Sequence, residues 1–253
     1  MKNFLTPFFP QAKTLILAYD HGLEHGPKDL RGRSFDPEYI LALAVKGGYS
    51  GIILQKGIAE KYYTQAVYAK KVPLILKLNG KTNIAEVPEP YAACNCSVPY
   101  AKKLGAKAVG YTIYLGSNFE QKMMEEFGRI QEEAHSLGLA AIAWLYPRGG
   151  RVLDPASEEM VSYAARVGLE LGADMIKIKY PKSEEGLKKA VLLAGKTKVV
   201  LSGGPKISEG EFFKILENAI KSGVSGLAVG RNVWQSDNPL LMTERIKKAM
   251  EIH

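Results

Sequence analysis

Residues 173–181 read ADMIKIKYP, a short apolar run that two lysines interrupt. Leu171-Gly172 before it suits the end of a helix and Ser183 after it suits the start of the next, so we predict a strand between two helices. Seven more runs of this kind begin near Thr14, Gly51, Val72, Ala106, Ala140, Thr197 and Val224. Strands that alternate with helices pair in parallel through right-handed crossovers, and eight such units favour a closed barrel over an open sheet. We therefore predict an α/β protein with a (β/α)8 TIM barrel, built as a single domain from residues 1–253.

The starts of several helices are marked by side chains that can cap them. The capping candidates are Asp36, Ser117, Ser157, Ser183 and Ser208. Their oxygens accept hydrogen bonds from the first free backbone N–H groups of a helix. Glycines that suit helix ends stand before most of the strands, which supports the same division of the chain.

The charge and the cysteine content restrict the class of protein. The formal net charge of +8 fits a nucleic-acid binder or an enzyme for anionic phosphates. The cations are spread along the chain without a basic tract of five or more, which argues against nucleic acid. The only cysteines, Cys94 and Cys96, cannot build a disulfide framework, and a zinc site would need two further ligands. No stretch approaches the ~20 apolar residues of a membrane span, and Met1–Pro10 lacks the pattern of a signal peptide. We expect a cytoplasmic, reduced protein with no membrane partner.

Polar side chains stand at the carboxyl ends of the predicted strands, where barrel enzymes have their active sites. The candidates, in chain order, are Asp20, His21, His25, Lys77, Asn79, Trp144, Tyr146, Arg148, Lys177, Lys179, Ser202, Gly203, Gly204, Gly230 and Arg231. Residues two apart on a strand share a face, so Trp144, Tyr146 and Arg148 can point into the barrel together, as can Lys177 and Lys179.

Lys177 is the most informative of these residues. It lies between apolar neighbours, and burial lowers the pKa of a lysine and makes its amine nucleophilic. Such an amine forms an imine with a ketone, and the protonated imine accepts electrons when a C–C bond is cleaved. A structural lysine paired with a carboxylate is the alternative, and the spacing leaves Lys179 nearly as good a candidate.

Imine chemistry also needs a group that moves protons, and Tyr146 and Asp20 are the candidates on neighbouring strand ends. A barrel tyrosine more often serves packing, whereas an acid that ends an apolar strand has few structural reasons to be there. His21 and His25 could instead bind a metal, but the surrounding glycines predict a loop rather than one helical face. We therefore predict no metal site.

The loops after strands seven and eight carry a phosphate-binding pattern. Ser202-Gly203-Gly204 and Gly230-Arg231 occupy the two loops at which barrels often bind phosphate. Glycines let backbone N–H groups approach phosphate oxygens, and Arg231 adds a charged donor pair. Tight turns are the alternative for both loops. Arg148 and Lys179 could bind a second phosphate.

These residues lie in stretches that closely resemble the archaeal-type class I fructose-1,6-bisphosphate aldolases over nearly the whole chain. The matching stretches are LAYDHGLEHGP (17–27), QKGIAEKYY (55–63), GYTIYLGS (110–117), WLYPRGG (144–150), MIKIKYP (175–181), SGGPK (202–206) and VGRNVWQ (229–235). The resemblance implies a lyase without cofactor or metal, which cleaves fructose 1,6-bisphosphate into dihydroxyacetone phosphate and glyceraldehyde 3-phosphate in glycolysis and gluconeogenesis. It also implies a homo-oligomer, since the family forms rings that are commonly decamers.

The resemblance assigns a role to each matching residue. Lys177 becomes the Schiff-base lysine in preference to Lys179, Tyr146 the proton donor and acceptor, and Asp20 its assistant. The remaining positions become substrate contacts: the phosphate ligands Ser202, Gly203, Gly204, Gly230 and Arg231, the pocket residue Trp144, and His21, His25, Arg148 and Lys179. The nearest rivals keep the barrel and the lysine. They are a 2-amino-3,7-dideoxyheptulosonate synthase, which makes an aromatic-amino-acid precursor, and a thiolase for a phosphorylated dione. A non-catalytic phosphosugar- or nucleic-acid-binding protein is the rival of another class.

Overall fold

Eight parallel strands form a closed barrel in this computed structural model, which describes residues 3–64, 66–69, 71–84 and 88–252. The strands are β1 Thr14–Ala18, β2 Gly51–Gln55, β3 Leu74–Lys77, β4 Ala108–Leu115, β5 Ala140–Pro147, β6 Met175–Ile178, β7 Lys198–Ser202 and β8 Gly226–Val229. Each strand pairs with its neighbours in the chain, and β8 pairs with β1 to close the barrel. The predicted α/β barrel is confirmed, with all eight strands starting where the apolar runs begin or slightly later.

Helices surround the barrel. They are α1 His21–His25, α2 Pro37–Lys46, α3 Lys56–Ile58, α4 Ala66–Ala69, α5 Val98–Lys103, α6 Glu120–Ser136, α7 Glu158–Glu170, α8 Glu184–Leu193, α9 Glu209–Lys221, α10 Arg231–Trp234 and α11 Pro239–Met250. A π-helical turn, Ala59–Tyr63, follows α3, and an antiparallel pair joins Asn79–Gly80 to Ala93–Cys94. In the described part of the chain, no helix has the length and apolar character needed to cross a membrane.

Four of the five predicted helix caps are confirmed. The side chains of Asp36, Ser157, Ser183 and Ser208 accept backbone hydrogen bonds at the starts of α2, α7, α8 and α9. The prediction for Ser117 is wrong, because Phe119 stands at the cap position of α6. The Ser117 hydroxyl instead donates to the carbonyl oxygen of Pro90 at 2.8 Å, so it holds a neighbouring loop.

Two apolar layers build the core. Strand residues that point inward fill the barrel, among them Ile16, Ile53, Ile75, Ile142 and Val200. Their alternate neighbours pack outward against the helices, as the two-residue period of a strand requires. The fully buried Phe8, from the turn Thr6–Phe8, packs into the inner layer near the start of β2 and closes the amino end of the barrel. The carboxyl ends of the strands are therefore the open side of the barrel.

Candidate active site

A cavity of about 440 Å³ opens at the carboxyl ends of the strands. Its walls contain every residue predicted to act in catalysis or substrate binding, from Asp20 and His21 at the end of β1 to Gly230 and Arg231 after β8. Lys77 and Asn79, the other two strand-end candidates, do not line it. The Asn79 side chain bonds with the backbone of Ala92 and Thr112, so Asn79 holds a loop against β4.

Trp144 forms the floor of this cavity. Its side chain is 1% exposed, and a Cβ atom at Gly110 on β4 would lie 1.9 Å from two of its ring carbons. The ring therefore occupies space that only glycine leaves on the neighbouring strand. The Lys177 ammonium nitrogen lies 5.3 Å from the centroid of the Trp144 ring. An amine above an apolar floor is poorly hydrated, which disfavours its charged form.

Lys177 is 5% exposed, and its surroundings favour a neutral amine more than water does. Burial lowers its pKa most, Asp20 opposes this effect, and Lys77 adds to the lowering. Burial acts to raise the pKa of Asp20, but the positive charges of Lys177 and Lys77 outweigh it and hold the pKa well below the usual range. The cavity thus holds an amine with a lowered pKa beside a carboxylate that stays ionised, which suits imine formation.

Lys179 lies in a different environment from Lys177. Its ammonium is 5.6 Å from the centroid of the Tyr146 ring. Its pKa is lowered by burial and then by Arg148 and Arg231. Both charged groups named for this shift are cations, and Lys179 lines the cavity together with them. Such a group suits an anionic substrate part.

Tyr146 keeps its proton at neutral pH. Burial raises the pKa of its hydroxyl well above the ordinary value, and Asp20 and Glu24 add to the increase, against an opposing hydrogen bond with Ser202. A hydroxyl held in its neutral form in the same cavity as the amine can donate a proton and take it back.

His21 and His25 lie on helix α1, so the prediction of a loop here is wrong. The segment completes one helical turn, and Gly26, with a φ of 74°, ends it before Pro27. The two rings lie 5.8 Å apart, centroid to centroid. Burial lowers the pKa of His21 to about 3, and burial with Arg231 lowers that of His25, so both rings are neutral at pH 7. Among the residues that the structure describes, no group of three or more His, Cys, Asp or Glu is placed to hold a metal ion.

The loops after β7 and β8 meet beside the two histidines. Arg231 Nη1 binds the Asp29 carboxylate at 2.8 Å, which orients the guanidinium at the cavity wall. A Cβ atom at Gly230 would lie 2.6 Å from His21 Cε1, so only glycine lets this loop approach α1. The Asn232 amide donates to the carbonyl oxygens of Gly203 and Pro205 and ties the two loops together.

Comparisons with known proteins agree with this geometry. A family model described as DeoC/LacD family aldolase matches residues 14–236. The class 1 fructose-bisphosphate aldolase of Thermoproteus tenax is 51% identical over 242 residues, covering 94% of this chain and 90% of that protein. A solved archaeal fructose-1,6-bisphosphate aldolase, with its catalytic Lys bound to the carbinolamine intermediate of the substrate, has a TM-score of 0.93 at 49% identity, covering 98% of both chains. This chain belongs to the archaeal class I fructose-bisphosphate aldolases. One of the rival enzymes is also represented among the relatives. A 2-amino-3,7-dideoxy-D-threo-hept-6-ulosonate synthase of Archaeoglobus fulgidus is 36% identical over 241 residues, covering 95% of this chain and 85% of that protein.

Sequence reasoning named Lys77 as a strand-end candidate but missed the ion pair that it forms beside this aldolase site. Lys77 is fully buried, and its ammonium donates to the Glu24 carboxylate at 2.6 Å. The position of Lys77 at a strand end was a signal, but the partner lies 53 residues away in the chain. Asn232 was also missed, and its place beside Arg231 gave no indication that it bridges two loops.

Proposed function

We propose that this aldolase cleaves fructose 1,6-bisphosphate reversibly through an imine on Lys177. The observation that carries the proposal is the position of the Lys177 amine. It is buried near the Trp144 ring and the ionised Asp20, in a cavity that further cations line. The similarity to class 1 fructose-bisphosphate aldolases supports the same reaction.

The first half of the reaction forms the imine. The neutral Lys177 amine attacks the C2 ketone, and the carbonyl oxygen takes a proton from Tyr146 or Asp20 to give a carbinolamine. Water leaves with the help of the same groups, and the protonated imine remains. Because Asp20 stays ionised in the resting site, we assign the first proton to Tyr146.

The second half breaks the carbon–carbon bond. The C4 hydroxyl loses its proton to a base at the site, and the electrons of the C3–C4 bond move into the imine. Glyceraldehyde 3-phosphate leaves and an enamine remains on Lys177. Tyr146 protonates C3 of this enamine, and hydrolysis of the imine releases dihydroxyacetone phosphate and restores the amine.

The phosphates give the substrate its direction. Ser202, Gly203, Gly204, Gly230 and Arg231 are proposed to hold the phosphate of the dihydroxyacetone half. Arg148 and Lys179 would bind the second phosphate, and His21 and His25, both neutral, would contact the sugar. Binding of both phosphates would hold the C2 ketone next to the Lys177 amine, so that the binding energy orients the substrate for attack.

Trapping of the imine tests the proposal. The protein is incubated with dihydroxyacetone phosphate and borohydride in excess chelator, and the reduced adduct is mapped by peptide mass. We expect an adduct on Lys177 in the wild type and in Lys179→Met, and none in Lys177→Met, which should also lose cleavage activity. An adduct on Lys179, normal turnover by Lys177→Met, or loss of wild-type activity with chelator would contradict the mechanism.

The remaining proposals concern the whole chain. We propose that residues 1–253 act as one cytoplasmic catalytic domain and that copies of it assemble into a homo-oligomer, with a decamer as the expected ring. The resemblance to the aldolase family is the support for this assembly. A molar mass from light scattering equal to one chain would contradict it.

A further inference from the structure

The ion pair between Lys77 and Glu24 has no part in the steps proposed above. Lys77, the last residue of β3, is 0% exposed, and Glu24 approaches it from α1. The ammonium-to-carboxylate distance is 2.6 Å. Neither a substrate contact nor a covalent step has been assigned to these two groups.

The pair lies beside Asp20 and Trp144 of the proposed reaction centre. The Lys77 nitrogen is 3.9 Å from Asp20 Oδ2. It is 5.5 Å from the centroid of the Trp144 ring, which the Lys177 nitrogen approaches to 5.3 Å. One indole ring therefore contacts both ammonium groups, and one carboxylate, that of Asp20, interacts with both of them.

Stability alone is a poor reason for this arrangement. Removing two charges from water costs about as much as their attraction returns, and apolar residues of similar volume often stabilise a core equally well. Apolar side chains, among them Ile16, Ile75 and Ala228, pack together in the inner layer of this barrel. A charged pair at its catalytic end therefore indicates a role in the chemistry.

We infer that Lys77 and Glu24 are a positioning pair that sets the electrostatic balance around Lys177 and Asp20. Lys77 keeps the Asp20 carboxylate ionised and places positive charge near the Lys177 amine, which favours the neutral nucleophile. Glu24 holds the Lys77 side chain in place and limits this positive field. The inference rests on the proposed function in one respect, since it takes Lys177 as the nucleophile.

The effects of the pair on Lys177 have opposite signs. After burial and Asp20, Lys77 lowers the pKa of Lys177 and Glu24 raises it. His21, Arg231, Tyr114 and Tyr146 also face this part of the cavity, and they are unchanged in the variants below. Removing Lys77 should therefore shift the titration of Lys177 to higher pH, and removing the charge of Glu24 should shift it to lower pH.

Competitive labelling measures this titration without substrate. Trace acetic anhydride, which reacts with neutral amines, is applied across a pH series, and the Lys177 peptide is quantified by mass. Compared with wild type, we expect the midpoint to rise by about one pH unit in Lys77→Met and to fall by about one unit in Glu24→Gln. The midpoint of the double variant should lie within a few tenths of a pH unit of the wild-type midpoint, and that of Lys77→Arg should stay near the wild-type value. Lys103→Met, an exposed lysine on α5, is the matched control and should show no shift.

The direction of the shifts decides between a charge effect and a packing effect. Shifts of the same sign in both single variants, or no shift in either, would overturn the inference, because a packing defect has no reason to change sign. If Lys77→Met does not fold, the difference between Glu24→Gln and the double variant isolates the effect of Lys77. Borohydride trapping with dihydroxyacetone phosphate is measured in parallel. A wild type that forms no imine would refute the proposed function, and the labelling would still decide the charge effect.

Discussion

Lys177 in β6 and Lys179 just after this strand are only two positions apart, but their surroundings give them different roles. A carboxylate faces Lys177, whereas the named charges that act on Lys179 are both arginines. A nucleophile needs a nearby group that accepts and returns protons, and a phosphate ligand needs neighbouring positive charge. The sequence spacing could not distinguish the two, because residues two apart on a strand share a face.

Tyr146→Phe tests the proton donor at the level of one atom. The raised pKa of the Tyr146 hydroxyl keeps it protonated. Its loss should slow imine formation without abolishing it, because water can supply the first proton, and it should prevent protonation of the enamine. We expect cleavage to slow by about 10²–10⁴-fold, while a borohydride adduct still forms on Lys177. Exchange of the C3 hydrogens of dihydroxyacetone phosphate with deuterated water, followed by NMR, should fall in proportion. Tyr163→Phe, at an exposed position on α7, is the control, and unchanged exchange in Tyr146→Phe would assign the proton to another group.

At the level of elements, the loops after β3, β4 and β5 are joined by one carboxylate. Glu89 accepts a hydrogen bond from the backbone N–H of Asn118 at 2.7 Å and from that of Gly150 at 2.9 Å. These two hydrogen bonds lower its pKa. The loop that contains Gly150 begins at Arg148, the proposed ligand of the second phosphate. Glu89 thus fixes the loop that positions this arginine.

Glu89→Gln should loosen that loop with a specific kinetic signature. An amide presents an N–H group to one of the two backbone donors, so one hydrogen bond is lost. We expect KM for fructose 1,6-bisphosphate to rise by about threefold to tenfold with kcat nearly unchanged. The kinetics with fructose 1-phosphate, which lacks the second phosphate, should not respond. Glu132→Gln, on the exposed face of α6, is the matched control, and equal effects on both substrates would mean that Glu89 serves general stability.

The elements also show how far sequence reasoning reaches. The eight strands are predictable because they are largely buried on both faces and read as short apolar runs, as in β1 and β8. The site follows from the rule that polar residues at strand ends face one cavity. Helix α1 was missed because its length is one turn, and local glycines outweighed the N-terminal Asp20 in the pattern. The Lys77–Glu24 pair could not be found, since no local signal links two residues that meet only when the barrel closes.

For the whole molecule, the active site makes stability depend on pH. The folded protein keeps His21 neutral, because burial lowers its pKa from 6.5 to about 3. In the unfolded chain the ring has the ordinary value and takes up a proton as the pH falls through 6.5. Between these two values the unfolded state binds more protons, so the contribution of His21 is fully present above pH 6.5 and is lost as the pH falls toward 3.

His21→Gln should flatten this dependence. We expect the free energy of unfolding of the wild type to fall by about 2 kcal/mol more than that of the variant between roughly pH 7.5 and pH 5. Urea denaturation at a series of pH values measures the difference, and the slope of the curve is compared rather than its absolute height. Between roughly pH 7.5 and 8.5 the two curves should run parallel, since the ring is neutral in both states there. Parallel curves down to pH 5 would mean that His21 takes up a proton in the folded protein as readily as in the unfolded chain. The proposed contact of a neutral His21 ring with the sugar would then have to be revised, because a charged His21 imidazolium would compete with Arg231 for the substrate phosphate.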